Sequence, residues 1–166
     1  NCGTHYTKQF MFEEGEDFDP FGHIEQDTEV ITEPIDTLED CVLGFSNSNT
    51  KLEWPYFSLP AGYTCPMATV CKNFASKPGQ KFSIMKANKE GGSEAMAELI
   101  LKSLKHHGLD KEKLFRIHES GDFFNKEYMQ AWIKVANTLP GTLFYAYTTS
   151  IPVWVANKGS IPSNLK

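Results

Sequence analysis

A short stretch of this chain, Phe115-Arg116-Ile117-His118-Glu119-Ser120-Gly121-Asp122, carries a guanidinium, an imidazole and two carboxylates. An imidazole that titrates near neutrality beside His118's neighbours Glu119 and Asp122 has what acid–base catalysis needs, and the same three side chains are ligands for a divalent metal. Strand alternation places Arg116 and His118 on one face. There the planar fork of Arg116 can clamp a phosphate or carboxylate while His118, Asp122 and Glu119 act on the bound group. The plainer alternative is a buried structural salt bridge from Arg116 to Glu119 or Asp122, with Gly121 merely permitting a turn. A second polar set, Thr148-Thr149-Ser150, either adds hydroxyls to the same ligand site or caps the helix that follows.

Two of the four cysteines, Cys65 and Cys71, stand close together after a turn-rich loop. Thiolates hold zinc or an iron–sulfur cluster well, but structural zinc takes four ligands and a cubane cluster normally takes at least three cysteines. Cys2 or Cys41 can complete such a set, and His118, His106 or His23 can add nitrogen. Unligated reduced thiols are the alternative, and a disulfide is a third, opposed by a reducing cytoplasm. Adjacent His106 and His107 point about 100° apart on a helix, which suits helix capping better than shared metal ligation.

The elements that position these groups follow from pattern. Leu114 to His118 reads as a strand, and Asn125 caps a helix that turns Tyr128, Met129, Trp132, Ile133 and Ala136 inward. Thr142 to Thr149 reads as the next strand. Strands joined by a helical crossover lie parallel, so Gly121-Asp122 and Thr148-Thr149-Ser150 are expected at the same sheet edge. Ser150 and Pro152 open a short helix over Val153 to Asn157. Upstream, Ser93 starts a helix with Met96, Leu99, Ile100 and Leu104 on one face, ended by Gly108. Trp132, Phe144, Tyr145 and Tyr147 read most simply as core. Residues 42 to 64 read as irregular loop, and Thr28 to Ile35 as a β-prone run.

With 40% hydrophobic and 13% aromatic residues, 166 residues suffice for one packed α/β domain. They do not suffice for a complete eight-unit barrel, which takes about 250. The fold expected is therefore a small parallel or mixed sheet of βα units, either an open sheet or a partial TIM-barrel-like piece, with an irregular acidic N-terminal segment. Residues 1 to 40 hold twelve acids against Lys8, a charge of −11, and the rest holds nine acids and fifteen bases, +6, which together make the chain's −5. The division sets an N-terminal segment, 1 to 42, apart from an α/β domain, 43 to 166. The segment's Asp17 to Gly22 run is not a calcium loop, because Phe21 occupies a ligand position and Thr28 stands where the bidentate Glu belongs. No run approaches the roughly 20 apolar residues that cross a bilayer, so no membrane partner is expected. Nucleic acid ranks last as a partner, since the lysines are scattered and the acidic segment competes.

The sequence Phe115 to Phe124 with Tyr128 and Trp132, then Leu143 to Thr148, resembles the bacteriophage gene product 88-like family. So does the upstream stretch from Ser46-Asn-Ser-Asn-Thr-Lys51 through Ser58-Leu-Pro-Ala-Gly-Tyr-Thr-Cys65 to Cys71. The two motifs keep the family's order and cover about half of the chain. Where many members place a third cysteine, this chain has Lys72-Asn73-Phe74-Ala75, and the linker from Cys71 to Phe115 is short. The chain therefore resembles a reduced or divergent member. The resemblance implies a phage protein in the host cytoplasm or the virion. One reading is an enzyme dependent on zinc or an iron–sulfur cluster, with its site at the strand ends. The other is a non-catalytic accessory protein that meets a host or phage protein through its acidic segment.

Overall fold

A computed structural model describes residues 37–47, 52–61, 64–67 and 78–166. The acidic segment up to residue 36, with its β-prone run, and Cys71 lie outside the described residues. In chain order the elements are α1 (Pro78–His106), β1 (Leu114–Arg116), α2 (Lys126–Thr138), β2 (Leu143–Tyr145) and α3 (Ile151–Asn157), the last followed by a single 3-10 turn, Lys158–Ser160.

α1 is two helical stretches meeting at Gly91-Gly92, where Gly92 has φ 58° and breaks the hydrogen-bond ladder. The second stretch begins at Ser93, as the capping pattern predicts. The first, from Pro78, is an addition to the expected elements. Met96, Leu99, Ile100 and Leu104 are buried together. At the helix end, Nε2 of His107 lies 2.9 Å from the Leu43 carbonyl oxygen, so this histidine ties the helix to the incoming chain. α2 starts because the Asn125 side chain accepts the Tyr128 backbone N–H at 2.8 Å. Its buried face holds Tyr128, Met129, Trp132, Val135 and Ala136, the spacing of one helical stripe.

β1 and β2 pair in parallel, with Phe115 opposite Phe144 and Arg116 opposite Tyr145. Among the described residues this pair is the sheet, and extended segments flank it on both sides. Arg116 N–H donates to the Pro55 carbonyl and Phe57 N–H to the Arg116 carbonyl, so residues 55 to 59 run parallel to β1. On the far side Phe144 N–H donates to Asn164 O, and Lys166 N–H to Phe144 O. The segment from 55 to 59, expected as irregular loop, is thus ordered backbone. Pro55 and Pro60 disguise it, but a proline at the first position of an extended run loses no ladder bond.

Both long helices cover one face of this layer. Phe57, Phe115 and Phe144 surround Trp132 with ring centroids 6.0 Å from the indole. Each ring is fully buried, and each such burial stabilises the fold by about 1.5–3 kcal/mol. Asn164 closes the bottom of the unit. Its amide nitrogen donates to the carbonyls of Ala136, Leu139 and Thr142, which the end of α2 would otherwise leave open. Among the described residues no helix is long and apolar enough to cross a membrane.

Gly121 turns the chain after β1 with φ 86°. A Cβ there would stand 2.7 Å from Leu59 Cβ and 2.8 Å from Thr64 Oγ1, so both backbone angle and space demand glycine. Gly121→Ala is expected to lose about 2–4 kcal/mol of unfolding free energy in urea titration. A loss under about 0.5 kcal/mol would show that the turn tolerates a side chain.

Candidate functional site

The ends of β1 and β2 emerge side by side, as parallel pairing requires, and one carboxylate joins them. Asp122, 3% exposed, follows the Gly121 turn. Its Oδ1 accepts the Phe123 N–H at 2.7 Å and the Thr148 hydroxyl at 2.5 Å, while Oδ2 accepts the Thr149 N–H at 2.8 Å and the Thr149 hydroxyl at 2.9 Å. Four donors thus occupy this carboxylate. The Thr148 hydroxyl in turn accepts the Ser150 N–H at 2.9 Å, which sets the entry to α3. Ser150 itself is buried, and its hydroxyl has no hydrogen-bond partner in the structure.

His118 goes elsewhere than alternation predicts. Its Nε2 lies 3.0 Å from the Tyr128 hydroxyl, and its ring stands against Phe123 at 4.9 Å, so it points toward α2 on the helix-covered face. The backbone ladder shows why. Beside Arg116 the pairing with residues 55 to 57 is regular, but the next bonds run from Glu119 N–H to Phe57 O and from Leu59 N–H to Ser120 O. A regular ladder would use residue 118 for both. The strand slips by about one residue there, as a bulge does, and the slip turns His118 inward while Arg116 stays outside. Burial is the main cause of a His118 pKa lowered to about 4; the Asp122 carboxylate raises it and Arg116 lowers it further. Burial also pushes the Tyr128 phenol up. Nδ1 of His118 is buried with no hydrogen-bond partner.

Arg116 is half-buried. Its Nε donates to the His118 carbonyl at 2.7 Å, and its guanidinium carbon lies 5.4 Å from the Tyr147 ring centre. It forms no ion pair with Glu119 or Asp122, and no hydrogen bond among the described residues engages its two terminal nitrogens. Glu119 is exposed and accepts the Ser58 hydroxyl at 3.4 Å. Trp132 and Phe144 are core as expected, but Tyr147 is 74% exposed and Tyr145 half-buried. Tyr56, bridged to Arg116, is a site neighbour that sequence reasoning missed because its segment was read as loop.

Cys65 is half-buried and Cys71 lies outside the described residues, while Cys41 is buried and disulfide-bonded. Among the described residues no group of three or more His, Cys, Asp or Glu side chains converges as a metal site would. An open depression of about 300 Å³ lies near the opposite ends of the strands, between Lys111, Lys113 and Pro140. It gathers none of the rim residues.

Asp122→Asn keeps the size but turns an NH2 toward at least one donor, so unfolding free energy is expected to fall by about 2–4 kcal/mol in urea titration. An unchanged midpoint would mean the four bonds contribute nothing. His118 supplies a pH signature. The unfolded imidazole takes a proton near pH 6.5 and the folded one only near pH 4, so the stability it contributes is complete above 6.5 and is lost as pH falls through that window. The loss is on the order of 3 kcal/mol. It should be visible as the difference between wild type and His118→Phe in urea titrations at pH 7.5 and 4.5; parallel pH dependences in the two proteins would contradict it.

Comparison with known proteins matches residues 42–166 to the family model described as Gene product 88. The Gene 88 protein of Mycobacterium phage L5 is 53% identical over 36 residues, which are 22% of this chain and 15% of that protein. The Gene 88 protein of Mycobacterium phage D29 is 41% identical over 59 residues, 34% of this chain and 22% of that protein. The matched stretches thus span less than a quarter of either relative. No solved structure matches the chain. With the family model covering most of its length, the chain belongs to the gene product 88 family of bacteriophage proteins.

Proposed function

We propose that this phage protein binds a small anion at the C-terminal ends of its parallel strands, with Arg116 as the anchoring group. The single observation that carries the reading is the state of Arg116: a guanidinium fixed through Nε and against Tyr147, with neither terminal nitrogen hydrogen-bonded among the described residues. Planar forks of this kind hold phosphate or carboxylate through paired hydrogen bonds, and prior fixing of the side chain reduces the entropy lost on binding. Ligands of parallel α/β folds bind at this edge of the sheet.

Within this reading His118 and Asp122 position the anchor. A buried, neutral imidazole held by a phenol and a carboxylate already holding four donors support that role better than exchange of protons with a ligand. Thr148 and Thr149 spend their hydroxyls on Asp122. Glu119 is the acid of the trio that remains accessible for chemistry. The finer architectural reading is a partial βα barrel. It is supported by four extended segments, residues 55 to 59, β1, β2 and 164 to 166, that lie parallel and adjacent in chain order with both long helices on one side. The described residues do not assemble a donor set for zinc or an iron–sulfur cluster, so no step is assigned to one.

Phosphate stabilises many proteins nonspecifically, which makes the comparison of variants the test. Inorganic phosphate, set against chloride at equal ionic strength, should raise the melting temperature of the wild type by more than that of Arg116→Gln. Equal increments in both proteins would remove the anion site.

A further inference from the structure

The two faces of the sheet differ in chemistry, and the difference specifies a ligand. In-register residues of adjacent strands share a face. On the face under the helices the row is Phe115 and Phe144, hydrocarbon rings around Trp132. On the other face the corresponding row is Tyr56, which is buried, and half-buried Arg116 and Tyr145, with the cation in the middle. Tyr147 adds a third phenol, its ring 6.2 Å from that of Tyr145 at 87° and over the guanidinium. Below this row Leu143 is 41% exposed. Parallel sheets are ordinarily covered on both faces, so a face carrying exposed Tyr147 and Leu143 marks a place for something else to lie.

One cation in the row matches one phosphoryl or carboxylate group. The accessible carboxylate of Glu119, beside Ser58, opposes a longer run of phosphates and offers an acceptor to sugar hydroxyls. An aromatic ring 74% exposed offers a plane on which a flat heterocycle can stack. At Tyr145 and Tyr147, tyrosines in place of phenylalanines let the same surface face both water and a polar ligand.

We propose that this face binds a nucleoside monophosphate, with the phosphate on Arg116 and the base on Tyr147. The inference rests on the anion site proposed above and goes beyond it in naming the base as a recognised part. Isothermal titration of the full chain with AMP, GMP and UMP, and with ribose 5-phosphate, separates the two. At least one nucleotide should bind about tenfold or more tightly than ribose 5-phosphate, the advantage expected from stacking one base. Tyr147→Leu should erase that advantage, and Arg116→Gln, with its fold checked by its melting curve, should abolish binding of both ligands. Equal affinity for the nucleotides and ribose 5-phosphate, or an advantage that survives Tyr147→Leu, overturns the nucleotide inference and leaves the anion site standing. Absence of binding by every ligand overturns both.

Discussion

The Asp122 carboxylate is the constraint on which the upper half of the molecule depends. It stands on the turn after β1 and is bonded by the backbone and hydroxyls that follow β2, so it fixes two chain segments separated by the whole of α2. Parallel strands have no hairpin to set their ends, and here a side chain supplies what a tight turn supplies in an antiparallel pair. The clasp works only because Gly121 lets the turn press against Leu59 and Thr64, which brings the flanking segment into the same assembly. Burial without solvent competition makes each of these bonds stronger, and makes the loss of any one more costly.

A consequence of the turn is the separation of the two residues that the motif sets closest together in chemistry. Arg116 and His118 are two apart, yet the slip in the ladder sends one to each face. The imidazole enters a pocket of Phe123 and Tyr128, where a proton is expensive. The guanidinium, which cannot discard its charge, stays at the boundary with water and lies over the Tyr147 ring. Each group lies where its protonation chemistry allows.

Much of this arrangement is legible in the residues. Asn125, the apolar stripe of α2 and the two short apolar strands around it identify the βαβ unit, and parallel pairing then brings Asp122 to Thr148 and Thr149 as expected. Ser93 likewise marks the start of the second stretch of α1. What is hidden is hidden for physical reasons. Residues 55 to 59 lie between prolines and carry too few residues to show a period, so their pairing to β1 depends on contacts far away in sequence. The slip at His118 is a matter of register, and a register is decided by the partner segment. The direction of Tyr147, outward where an aromatic residue suggests core, is settled by which face the helices cover. Cys71 and the acidic segment lie outside the described residues.

The connection between the hidden packing and the half-buried guanidinium of Arg116 runs through one backbone group. Nε of Arg116 is bonded to the carbonyl of His118, and the His118 side chain is bonded to Tyr128 in the first turn of α2. The position of the guanidinium is therefore set by the same contacts that hold the helix on the sheet. An arginine on a free surface samples many rotamers and loses that freedom when it binds; this one has lost part of it on folding. An imidazole is buried with an unpartnered nitrogen, and the cation beside it is oriented by the fold itself. That division, core groups that hold and one rim group whose charge stays at the boundary with water, accounts for why a cluster with the composition of a catalytic centre has its His and Asp turned inward and its arginine turned out.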